Sequence, residues 1–139
     1  MLRKYNYKLE TGTVGTNDDN IANLLYNINR MEMDKSYIFT DTDEMDEDFG
    51  ELFFMLSESK VHLNRFLEIF GKKVNEENAN IISTAFSDAM QVVRNARLDI
   101  RTDESKAEKA CLVFTTVYEN LLAVVPVILA LDDQAVGRV

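Results

Sequence analysis

The 139 residues make about one domain, long enough to bury about two-thirds of the surface the unfolded chain exposes without a zinc or disulfide staple. With 46% hydrophobic and 28% charged residues the composition is that of an ordinary folded protein, and one proline with five glycines argues against a turn-rich all-β design. A net charge of −9 disfavours nucleic acid as a direct ligand, while a single cysteine, Cys111, and a single histidine, His62, exclude an internal disulfide and two-histidine metal sites.

Residues 1–16 read as an N-terminal arm. Tyr5, Tyr7 and Leu9 alternate with Asn6 and Lys8 as in a short strand, Gly12 and Gly15 interrupt it, and Tyr37 to Thr40 offers a partner for a short β-pair. The first residues lack the apolar core of a secretory signal, so the expected location is intracellular and cytoplasmic.

Residues 17–139 are expected to form one helical domain. Its first helix, over 17–33, opens on Thr16 and Asp19 in the pattern of a capping box. Ile21, Leu24, Leu25, Ile28 and Met31 make its apolar stripe, and Asn20, Asn23, Asn27 and Arg30 a wet face.

An acidic run follows: Asp41, Asp43, Glu44, Asp46, Glu47, Asp48 and Glu51 stand without a base among them. A calcium loop is not met, because Met45, Asp46 and Leu52 occupy the places where an EF-hand needs an oxygen ligand, a glycine and a glutamate. Glu47, Glu51 and Glu58 can be read as the magnesium ligands of an all-α nucleotide pyrophosphatase, but acidic residues at a helix start are explained by the helix dipole alone. The sharper reading is a docking surface for a basic partner, which seven carboxylates would steer strongly at low salt.

The second helix, over 46–70, carries Phe49, Leu56, Leu63 and Phe70 at seven-residue spacing, with Leu52, Ser59 and Phe66 interleaved, the seam of a helix packed lengthwise on others. Phe53 and Phe54 widen its apolar surface, His62 lies four residues after Glu58, and Gly71 supplies the stop.

A third helix, over 75–100, starts at the N-cap Asn75 and buries Ile82, Ala85, Phe86, Ala89, Val93 and Ala96. Arg94, Arg97 and Arg101 share one of its faces, placed to pair with Glu104, Glu108 or a neighbour's acidic run, or to bind a phosphate-bearing ligand. The fourth helix, over 103–131, is the most informative. From Ala110 to Leu131 only Glu119 is charged, and after Asn120 the chain is apolar around the whole circumference, so something beyond a lone four-helix bundle must cover it. Leu121, Leu122, Val125, Ile128 and Leu129 are the expected oligomer interface. A bilayer crossing is disfavoured by Glu119, which costs about 2.5–3.5 kcal/mol when charged in lipid. A break at Pro126 is the remaining alternative.

The expected fold is mainly α, a four-helix bundle-like domain with an extended arm. No catalytic residue, cofactor or metal is assigned. The leading expectation is a non-catalytic assembly or structural protein, a homo-oligomer or subunit of a larger complex, viral or mobile-element in origin and virion-associated in that case. The alternative is an acidic inhibitor or adaptor that occupies a basic site on a nucleic-acid-binding partner.

Overall fold

The computed structural model describes residues 16–33, 37, 39, 41–103, 105 and 109–137. The arm apart from Thr16 lies outside them, as does most of the expected β-pair; Tyr37 and Phe39 are described, and no strand occurs among the described residues. The fold is mainly helical and bundle-like: α1 (Asp19–Arg30), α2 (Thr42–Phe70), α3 (Glu76–Thr102), α4 (Ala110–Leu122) and α5 (Val125–Ala135). The last two make one rod, so the bundle has four sides.

Consecutive rods run antiparallel. Asn27 on α1 meets Glu58 and Ser59 while Arg30 meets Glu51, and Lys60 on α2 meets Ser87 while Asp46 meets Arg97. The fourth rod closes the ring. Asn17 bonds Asp132 at one end of α1, and Glu32 accepts from the Tyr118 hydroxyl at the other, at 2.9 Å. The core is continuous across all four sides, and Phe49, Phe66, Phe86 and Phe114 are its largest side chains. Burying each such side chain contributes about 1.5–3 kcal/mol. Phe114 is the hub of an aromatic group, with Phe49 at 4.8 Å and Phe39 at 5.8 Å between ring centroids.

Local chemistry sets the helix limits and corrects several expectations. Asp18, not Thr16, caps α1, accepting from the Asn20 and Ile21 amides. Asp41 caps α2 by accepting from the Glu44 amide at 2.7 Å, so this helix begins at Thr42, near the start of the acidic run, rather than at residue 46. Gly71 ends α2 in right-handed geometry; its value is space, because a Cβ there would lie 2.5 Å from the Leu67 carbonyl oxygen. Asn27, expected on the wet face of α1, is buried, with its amide on Glu58 and the Ser59 hydroxyl. The expected continuous fourth helix breaks at Ala123 and Val124, since Pro126 has no N–H for the Leu122 carbonyl; Val124 bonds back three residues, to Leu121. The break spares the packing, because Leu121 and Val125 on its two sides both face inward.

Candidate functional site

Two surfaces carry the residues singled out by the sequence. The first joins α2 to α3. Of the acidic run, Asp41 is a cap, Glu44 accepts from the Tyr37 hydroxyl, Asp48 is buried and Glu51 lies 3.8 Å from Arg30. Asp46 takes both partners from α3: Arg97 Nε and Nη2 donate to its two oxygens at 2.8 and 3.1 Å, and Arg101 Nε and Nη2 donate to the same pair at 3.0 and 3.0 Å. Hydrogen bonding from Arg97, then from Arg101, holds the Asp46 carboxyl far below the usual carboxylate range, and Asp46 in turn raises Arg97. The arginines thus pair with the acidic run of their own chain. Asp43 and Glu47 are the exposed carboxylates left in the run.

Arg94 is placed differently. Its guanidinium lies over the Phe53 ring, 5.4 Å from the centroid, and Arg94, Arg97 and Arg101 wall a groove of about 330 Å³ whose remaining lining is Phe53, Val93 and Leu98. Phe53 was legible as surplus apolar surface on the second helix; that it lies beneath Arg94 depends on the antiparallel register of α2 and α3, which sequence spacing does not set.

The second surface is the outer side of α4 and α5. Of the five residues expected at an oligomer interface, Leu121, Val125 and Ile128 are buried in the chain's own core, Leu129 is half-buried and Leu122 is exposed. The outward line is instead Leu112, Thr116, Glu119, Ala123, Pro126, Ala130 and Asp133, flanked by Leu122 and Val136, and Leu112 is 64% exposed. The phase complementary to Phe114, Val117 and Leu121 marks this line in the sequence. Ala110–Ala135 is long and apolar enough to cross a membrane by length and composition, and only 28% of its most apolar stretch is buried within the chain.

The rod is nonetheless tied to the bundle. Asp132, in the sequence one of two terminal carboxylates of no evident role, is buried and takes three hydrogen bonds: from the Asn17 amide at 2.7 Å, the Asn17 side chain at 3.0 Å and the Asp18 amide at 3.0 Å. A carboxylate there also faces the positive end of α1. Gln134 accepts from the Asn75 amide at 2.8 Å, joining the same end of α5 to the start of α3.

The residues read as magnesium ligands do not form a cage. Glu47 is exposed, Glu51 faces Arg30, and Glu58 faces Asn27 and lies 4.0 Å from His62, whose Nδ1 is 3.1 Å from Asn20 Oδ1. Among the described residues no group of three or more His, Cys, Asp or Glu is placed to hold a metal ion. Cys111, the single cysteine, is half-buried and packs against the core. No family model matches this chain, nor does any curated protein or solved structure.

Proposed function

We propose that the chain is a non-catalytic assembly subunit that joins a second copy of itself through the outer side of α4 and α5. The observation that carries this reading is the uncovered apolar face of the rod, with Leu112 and Val136 largely exposed and Leu122 and Pro126 beside them. An apolar face of this kind, rimmed by polar residues, marks an interaction surface. Thr116, Ala123 and Ala130 fall at seven-residue spacing along its centre, so a second helix can approach closely between the larger side chains, and two copies present the same surface to each other as a two-fold contact requires. Lipid is the poorer occupant. Glu119 and Asp133 are exposed on the same side, and the bonds of Tyr118, Asp132 and Gln134 keep the rod against α1 and α3.

Methyl NMR of the full chain over a dilution series tests the site. Leu112, Leu122 and Val136 should shift with concentration while Val61, exposed on α2 across the bundle, stays fixed. Shifts confined to α2, or none at all, overturn the reading, as does flotation of the chain with vesicles in place of self-association. The acidic inhibitor or adaptor is the weaker proposal, because Asp46 and Glu51 already have arginine partners within the chain.

A further inference from the structure

The groove between α2 and α3 is cationic in a chain of net charge −9. Three guanidinium groups line it, and two of them, Arg97 and Arg101, share the carboxylate Asp46, so these four groups carry a net charge of +2 within two helical turns, a span of about 10 Å. Arg94 has no carboxylate partner among the described residues; what it has is the Phe53 ring. The floor is apolar, from Phe53, Val93 and Leu98, and Leu98 is largely exposed although it stands beside three charged side chains. Surface ion pairing alone accounts for Arg97 and Arg101. It does not account for an arginine stacked on an aromatic ring at the mouth of an apolar groove.

We propose that this groove binds a small phosphate monoester carrying a planar base, a mononucleotide. Guanidinium forks match phosphate oxygens in pairs, and a phosphate monoester carries about −1.5 to −2 charge at neutral pH, which complements the excess in the groove. The base extends the stack already begun by Phe53 and Arg94, on the outer guanidinium face, since arginine stacks on planar groups from either side. The phosphate lies further along α3, on the donors of Arg97 and Arg101 that Asp46 does not use. At about 330 Å³ the groove is at the lower end of the range for small-molecule sites, about 300–1,000 Å³. Asp46 therefore has a second consequence: it occupies the fork between Arg97 and Arg101 as an internal competitor of the incoming phosphate. This inference is independent of self-association, because α2 and α3 carry it and the α4–α5 face plays no part.

The test is a titration of the full chain, followed by the arginine Nε–Hε resonances, with adenosine 5′-monophosphate, adenosine, inorganic phosphate and succinate in parallel. Saturable shifts of Arg94 and Arg101 are expected with the nucleotide, at an affinity about tenfold above that for adenosine or phosphate alone, since each half makes only part of the contacts. Arg94→Ala should weaken nucleotide binding about tenfold, and Asp46→Asn should strengthen it by a similar factor. Lys72→Ala, outside the groove, should leave it unchanged. Arg94→Ala removes no salt bridge among the described residues, so it decides the matter even if Asp46→Asn fails to fold. Equal shifts with every anion, undiminished in Arg94→Ala, or no saturable shift at all, overturn the proposal; saturation by succinate but not by the nucleotide overturns the phosphate assignment.

Discussion

The α2–α3 side and the α4–α5 side of the bundle treat their conspicuous residues in opposite ways. On the first, members of a run of seven carboxylates are used within the chain, Asp41 as a helix cap and Asp46 as the shared partner of Arg97 and Arg101. On the second, the most apolar stretch leaves Leu112, Leu122 and Val136 in solvent. Charge density in a sequence is thus a poor guide to a partner, because helix ends and neighbouring helices satisfy charges cheaply. An apolar circumference is a better one, because a four-sided bundle covers only the inward part of each rod.

Substitutions within α4 sharpen that contrast most. Phe114→Ala should cost about 3–5 kcal/mol in urea unfolding, since it empties the space shared with Phe39 and Phe49. Leu112→Ala, two residues earlier, should change monomer stability by less than about 0.5 kcal/mol while weakening self-association. Equal costs at the two positions would erase the distinction between inner and outer faces. Asp132→Ala comes next, at about 3 kcal/mol, because it strands three donors at the start of α1.

The ion pairs on the other side should matter less. Asp46→Asn should cost about 1 kcal/mol at neutral pH, as expected for a partly exposed carboxylate shared by two arginines. Because the folded carboxyl is held below its ordinary value of 3.8, this contribution is complete above that value and is lost as acid protonates the folded group. The stability gap between Asp46→Asn and the parent chain should therefore close as pH falls below 3.8; a constant gap in acid unfolding curves would contradict the assignment. A change of opposite sign is expected at Gly50, where an added Cβ would stand 3.4 Å from Arg97, so Gly50→Ala should raise stability by about 0.5–1 kcal/mol through helix propensity.

Much of the fold was legible because helical spacing and capping act locally. The stripes of α2 and α3 and the Asn75 cap follow from residue order alone, and so does the placement of an apolar rod at the end of the chain. What escaped depends on register between helices. Spacing put Arg94, Arg97 and Arg101 on one face, yet Asp46 as their shared partner and Phe53 beneath Arg94 follow only once α2 and α3 are laid side by side. The same holds for Asn27, polar and buried because Ser59 and Glu58 stand opposite, and for Asp132, whose donors are more than a hundred residues away. Three of the five residues expected at an interface are taken up by the chain's own core. Leu121, Val125 and Ile128 are the inward residues of the rod, and Leu112 and Val136 take the outer positions.

Self-association through the outer side of α4 and α5 is the proposal on which the rest stands. Light scattering on the full chain at tens of micromolar, beside the double variant Leu112→Glu and Leu122→Glu, tests it most directly. The expected mass is twice 15.9 kDa for the parent chain, and 15.9 kDa with unchanged helicity for the variant. A parent chain that stays at 15.9 kDa throughout would contradict it.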